Sequence, residues 1–115
     1  MINKITIIAV SEKGKELAER ISRYYDEVTI SRLAEVEKAF SCSDALIFIG
    51  ALGICVRSIA PYIQDKHTDP AVVCIDTTGK QVISVLSGHV GGANELTVSL
   101  ARLLSAEPVI TTQSD

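Results

Sequence analysis

The residues best suited to chemistry in this 115-residue chain sit together in Ser87-Gly88-His89-Val90-Gly91-Gly92-Ala93-Asn94. Three glycines within five positions strip side chains from the backbone, so a ligand can come close to main-chain N–H groups. A helix expected from about Gly92 leaves more such groups unpaired in its first turn, a place that favours anions and developing oxyanions. His89 adds an imidazole, the side chain that takes up and returns a proton near neutral pH. Ser87 is a weak nucleophile candidate, because Ser87-Gly88-His89 lacks the G-x-S-x-G elbow and supplies no separate base.

Other chemistries are poorly served. Val10-Ser11-Glu12-Lys13-Gly14, after the first expected strand, is not the G-x-G-x-x-G of a dinucleotide site, and no G-x-x-x-x-G-K-[ST] phosphate loop occurs. Cys42, Cys55 and Cys74 are an odd number without C-x-x-C spacing, which argues against both a disulfide framework and a zinc knuckle. Cys55 and Cys74 fall in apolar patterns, where a thiol serves as a small buried hydrophobe. A net charge of −3 and the absence of a basic run leave no footprint for nucleic acid. The longest apolar runs, such as Ala45 to Gly50, are far short of the roughly 20 residues that span a bilayer, and the first residues lack the pattern of a signal peptide. We therefore expect a cytoplasmic protein with neither membrane nor nucleic acid as a partner.

The elements that must position the glycine loop alternate in period. Ile5 to Val10 reads as a strand and Ser11 as the cap of a helix to about Tyr24, with Leu17, Ile21 and Tyr24 on one face. Val28 to Ile30 is a short strand, Leu33, Val36 and Phe40 mark a helix, and Ala45 to Ile49 is a fully apolar, central strand. After Gly50-Ala51-Leu52-Gly53 a helix turns Val56, Ile59 and Ile63 toward the core and is disturbed near Pro61. Asp65-Lys66-His67-Thr68-Asp69-Pro70 is a polar loop. Ala71 to Asp76 and Gln81 to Leu86 form a hairpin about Thr77-Thr78-Gly79-Lys80, with a glycine where positive φ is needed. A last helix carries Leu96, Leu100 and Leu103, and Pro108 to Thr111 starts a final strand.

This pattern predicts an α/β chain: a three-layer α/β/α domain over residues 1–115, with a mostly parallel sheet and one antiparallel strand. Six loop residues can extend about 20 Å, enough to run back along the preceding helix. We therefore expect Ala71 to Asp76 to be the antiparallel strand, with the loops at Gly50 to Gly53, Lys66 to Asp69 and Gly88 to Gly92 along one edge. Ligands in open α/β sheets gather outside the carboxyl ends of the parallel strands.

Several blocks, in order, carry a family resemblance. They are Gly53-Ile54-Cys55-Val56-Arg57 with Ile59-Ala60-Pro61; Asp65-Lys66 and Asp69-Pro70-Ala71-Val72-Val73; Val82 through Asn94; and Pro108-Val109-Ile110-Thr111-Thr112 with Asp115. Spread over residues 44–115, they resemble the N-terminal region of the CbiG family, the cobalt-precorrin-5A hydrolases of anaerobic cobalamin (vitamin B12) biosynthesis. Residues 1–42 carry no such block. Cys55 stands where a small apolar residue is expected, and Gln113-Ser114 replace smaller neighbours; neither touches the glycine loops.

The resemblance implies a hydrolase that opens the δ-lactone of cobalt-precorrin-5A with water and expels acetaldehyde, giving cobalt-precorrin-5B. It implies no cofactor and no protein-bound metal, since cobalt arrives inside the tetrapyrrole substrate. It also implies downstream domains in the same protein, so this piece is expected to fold but not to turn over alone; self-association stays open. A carboxylate-fringed corrin precursor calls for cations and backbone donors. Arg57, Lys66, Gly53, Ser87, Gly88, Gly91, Gly92 and Asn94 are the candidates for binding it. His89 is the leading base, with Asp69 as the group that orients an imidazole. Each has a plainer reading: His89 ties the turn, Asp69 starts a turn before Pro70, Arg57 pairs with an internal acid, and Asn94 fixes its own loop. His67 is weaker still. The rival function is a tetrapyrrole-binding module without chemistry of its own.

Overall fold

Every residue of Ala45–Ile49 and Ala71–Ile75 is buried, and runs this apolar are stable only where both faces of a sheet are covered. A computed structural model, which describes residues 2–112, places them at the centre of a six-stranded sheet. The strands are β1 (Lys4–Ala9), β2 (Glu27–Ser31), β3 (Ala45–Ile49), β4 (Ala71–Ile75), β5 (Gln81–Leu86) and β6 (Glu107–Val109). Their order is β2-β1-β3-β4-β5-β6. Helices α1 (Glu12–Ser22) and α4 (Ala93–Leu104) pack on one face with Ile5, Ile7, Ile47 and Val73. Helices α2 (Val36–Cys42) and α3 (Leu52–Ile59) pack on the other with Ile8, Leu46, Phe48 and Val72. The three-layer, mostly parallel class expected from the sequence is what forms.

The reversed strands are not the expected one: β5 and β6 run against the other four. β4 runs parallel to β3, with Ala45 opposite Ala71 and Ile49 opposite Ile75, and the antiparallel pair is β4–β5. β6 follows β5 in parallel. The reason lies in residues 63–70. The Asp69 carboxylate accepts hydrogen bonds from the Gln64 and Asp65 amides at 2.9 and 3.1 Å, and the Thr68 and Asp69 amides return to the Asp65 carbonyl. The segment is a closed turn rather than an extended return, so β4 starts where α3 ends, its Ala71 amide bonded to the Asp44 carbonyl at 3.0 Å.

Local signals fare better. Ser11 caps α1, accepting from the Gly14 amide at 3.0 Å. The hairpin forms at Asp76 with Gly79 at φ 74°, and Asp76 Oδ1 accepts from the amides of Lys80 and Gln81 at 3.0 and 2.7 Å. Burial raises the Asp76 pKa, but the Thr78 hydroxyl and the Gln81, Lys80 and Thr78 amides outweigh it and hold the carboxyl below its ordinary value. Two helical faces differ from expectation. α1 ends at Ser22, leaving Tyr24 exposed while Tyr25 packs against the core. α3 buries the Cys55–Ile59 stripe, which turns Val56 outward, and a short 3-10 turn at Ala60–Tyr62, containing Pro61, ends the helical register before Ile63; both Val56 and Ile63 are more than 40% exposed.

Asp44 fastens the start of β1 to β3: one carboxylate oxygen accepts from the Asn3 and Lys4 amides at 3.0 and 2.9 Å. Those amides hold its pKa below 3.8, that of Lys4 first and that of Asn3 second. A depressed folded-state pKa stabilises the protein above the unfolded value and ceases to as pH falls through the folded one. Asp44→Asn should therefore cost about 1 kcal/mol at pH 7, discounted for exposure. In urea titrations across pH, the gap between the two proteins should stay constant above about pH 5 and shrink below 3.8.

Candidate active site

The glycine loop leaves the sheet at the end of β5, where Ser87 takes φ 60°, a left-handed conformation uncommon for a residue with a Cβ. Gly92, at φ 88°, enters α4 in the N-cap position. The Ala93 and Asn94 amides donate to the carbonyls of Ser87 and Gly88 at 3.1 and 3.0 Å. Two of the first-turn donors expected to serve a ligand are therefore spent closing the loop on itself. Close packing explains two of the glycines. A Cβ on Gly91 would lie 2.6 Å from Ser87 Cβ and 3.0 Å from its carbonyl oxygen; one on Gly88 would lie 2.8 Å from Asn94 Oδ1. That same Oδ1 accepts from the Ser84 hydroxyl at 2.7 Å, tying α4 to β5. Asn94 thus fixes its own loop.

What the loop offers outward is a cavity of about 450 Å³ beside α4. Its apolar floor is Ile2, Ile5 and Leu96, residues of the α1–α4 face of the core. His89, exposed, and Glu95, in the first turn of α4, both line it. Tyr25 and Ser99 close the far wall through a 3.1 Å hydrogen bond between their hydroxyls. An imidazole and a carboxylate over an apolar floor are a proton acceptor and a charge partner beside a surface that suits an amphipathic ring. Glu95, Tyr25 and Ser99 escaped the sequence reading. An acid in a first helical turn reads as a complement to the helix dipole, and Tyr25 and Ser99 lie 74 positions apart.

Asp69 and Lys66 share this edge of the sheet. The Ser87 hydroxyl donates to the Asp69 carbonyl at 3.5 Å, and β5 ends with Leu86 opposite Val72, near the start of β4. The Asp69 carboxylate is engaged by the Gln64 and Asp65 amides; among the described residues neither His67 nor His89 is its partner. Asp69 thus holds the turn instead of orienting an imidazole. The His67 amide donates to Asp65 Oδ1 at 2.9 Å within the same turn. Lys66 is exposed.

Gly53 and Arg57 do not join them. With β4 parallel, Gly50 to Gly53 lie at the carboxyl ends of β1, β3 and β4, whereas His89 lies at the opposite end. α3 also packs on the other face of the sheet from the His89 cavity. The expected single edge is corrected: one small ligand cannot touch both loops. Arg57 is exposed and, among the described residues, has no ion pair. No group of three or more His, Cys, Asp or Glu is placed to hold a metal among the described residues. The adjacent Cys74 thiol and burial push the Cys55 thiol well above its ordinary value, in keeping with a packing role. Cys74 donates to the Gly50 carbonyl at 3.4 Å.

These geometries separate two glycines by substitution. Gly91→Ala should destabilise the chain by about 1–3 kcal/mol, since Ser87 must move. Gly53→Ala, whose Cβ would meet nothing within 4 Å in a helix, should be neutral or stabilise by up to about 1 kcal/mol. Denaturant unfolding of both variants checks the ranking, and the reverse order would refute the packing described.

Comparison with known proteins bears on the whole chain. The model of the Cobalamin synthesis G N-terminal family matches residues 34–115; of these, 113–115, including Asp115 of the sequence blocks, lie outside the described residues. A cobalt-precorrin-5A hydrolase of Priestia megaterium is 42% identical over 95% of this chain and 35% of its own length. That of Salmonella typhimurium is 62% identical over 68% of this chain and 22% of its own length. The crystal structure of a cobalamin biosynthesis protein G homolog from Sulfolobus solfataricus superposes with a TM-score of 0.85 at 34% identity, covering 96% of this chain and 37% of that one. The chain thus spans about a third or less of each of these relatives. With the family model matching residues 34–115, the chain belongs to the Cobalamin synthesis G N-terminal family.

Proposed function

We propose that this chain is the N-terminal part of a cytoplasmic cobalt-precorrin-5A hydrolase, and that its share of the chemistry takes place at the His89 cavity. Family membership supports the reaction class. The observation that carries the site is the convergence of His89 and Glu95 on one cavity of about 450 Å³ with an apolar floor. A tetrapyrrole is far larger than this space, so only one edge of the ring enters, its apolar rim on Ile2, Ile5 and Leu96. Lys66, on the same edge of the sheet, and the backbone N–H groups of Gly91 and Gly92 meet peripheral carboxylates. Cobalt is part of the substrate.

Three proton movements are required. His89 accepts a proton from the water that attacks the lactone carbonyl, and Glu95 offsets the charge of the imidazolium that forms. The imidazolium returns its proton to the departing alkoxide, which frees a hydroxyl; as His89 then takes the hydroxyl proton, the aldehyde C=O forms, the carbon–carbon bond breaks with its electron pair left on the conjugated macrocycle, and acetaldehyde leaves. A cavity this open needs a second wall to exclude water, and the additional length of the relatives is where such a wall is available. Asp69, Ser87, Gly88 and Asn94 serve this reading by shaping the loop; Gly53 and Arg57 lie outside it.

The test is acetaldehyde release from cobalt-precorrin-5A by a hydrolase carrying these residues as its N-terminal part. His89→Gln should slow turnover by roughly 10²-fold with little change in KM, the usual contribution of a general base. Glu95→Gln should slow it by about 10-fold, and Arg57→Ala should change neither kcat nor KM. Normal turnover by the His89 variant, together with loss of substrate affinity in the Arg57 variant, would move the site to the opposite edge. Binding of substrate with unchanged acetaldehyde release in both His89 and Glu95 variants would reduce the chain to a binding module.

A further inference from the structure

The face of the sheet away from His89 carries a second cavity that the proposed reaction does not use. It holds about 370 Å³ and lies where α2, the 3-10 turn at Ala60–Tyr62 and the turn closed by Asp69 meet. Phe40, Tyr62, Pro61 and Pro70 give it aromatic and apolar walls, the two rings 6.3 Å apart and tilted by 43°. Among the described residues, the charged groups that line it are the carboxylates of Glu37 and Asp69. Asp69 is only 9% exposed. Its Oδ2 takes both amides of the turn, whereas its Oδ1 accepts no hydrogen bond from the described residues and is not sealed in the core, so it meets solvent at the cavity.

Asp69 keeps its negative charge while it accepts those amides, so two carboxylates face the cavity and no cation lines it. Among the described residues neither has a Lys or Arg nitrogen within 4 Å. The flanking charges do not reverse this sign. Lys38 shares the neighbouring groove with Glu35, Lys66 follows Asp65 in the closed turn, and Arg57 stands one turn before Pro61. With all of these counted, four acids still outnumber three bases. An anion is therefore repelled, and an alcohol could donate to Oδ1 but would offset no charge. A metal cation calls for a shell of oxygen ligands, whereas much of this wall is ring and proline carbon. An alkylammonium suits both parts: its N–H groups donate to carboxylates, and aromatic rings attract the cation and cover its methylenes. We infer that this cavity binds a small organic ammonium ion, its nitrogen at Asp69 Oδ1 and the Glu37 carboxylate, its alkyl part against Phe40 and Tyr62. The volume, at the lower end of ligand pockets, suits a small guest. The site does not rest on the reading of the His89 cavity.

Titration of the chain with butylammonium chloride tests the inference by amide NMR, at constant ionic strength and about pH 8, where histidine is neutral. Saturable shifts should centre on Phe40, Tyr62 and Asp69. 1-Butanol, the neutral counterpart of the same length, should bind about 10-fold more weakly or worse. Glu37→Gln, at an exposed helix position, should weaken butylammonium binding by about 10-fold, and Tyr62→Leu by about 3-fold. Both variants keep Asp69 and the turn it closes, so an unchanged spectrum elsewhere shows that the fold is intact. Absence of saturable shifts, equal binding of 1-butanol, tighter binding of calcium chloride at the same residues, or affinity unchanged in the Glu37 variant would each overturn the assignment.

Discussion

Everything that matters about the placement of the site follows from how the chain turns between α3 and β4. The Asp69 carboxylate gathers the Gln64 and Asp65 amides into a closed turn, and β4 is thereby launched from the foot of α3 alongside β3. With β4 parallel, the hairpin at Asp76 must send β5 back down the sheet, and Ser87 emerges beside Asp69. Had the segment run extended, the same sequence would have put the glycine loop at the other end of the strands. One buried carboxylate thus decides which residues become neighbours.

Three aspartates share this kind of work. Asp44 fastens β1 to β3, Asp69 sets the direction of β4, and Asp76 closes the hairpin, each by accepting at least two backbone amides. Backbone donors at the ends of strands are costly to leave unpaired where water is scarce, and an ionised carboxylate is a strong local acceptor for them. The acidity of a chain with net charge −3 is therefore partly architectural. It also explains why an aspartate near a histidine in sequence need not act with it: Oδ2 of Asp69 is committed to the Gln64 and Asp65 amides of its own turn.

The glycine loop shows a similar division of labour. Gly88 and Gly91 are small because Asn94 and Ser87 press on them, and two helix-start amides are consumed by carbonyls of the same loop. A glycine-rich helix start need not be an open anion cradle. What faces outward is side-chain chemistry, His89 and Glu95, lining one cavity beside a loop two of whose amides close it on itself.

The sequence by itself determined the class of the fold, the elements and the family. Period-2 and period-3.6 hydrophobic patterns, Ser11 as a cap, and Gly79 in the hairpin are local properties, set by side-chain burial and by φ, and they survive whatever the rest of the chain does. The blocks from Gly53 to Thr112 carried the family, because each keeps its order and spacing in the linear chain. Only the tertiary structure decided which strands are reversed, which side of α3 faces the core, and which candidates meet. Strand direction depends on whether a short polar segment closes or extends, and that rests on hydrogen bonds that Asp69 accepts from amides four and five residues away, which composition and periodicity do not encode. The separation of Arg57 from His89 and the union of His89 with Glu95, Tyr25 and Ser99 are consequences of that choice, made across the sheet and not along the chain.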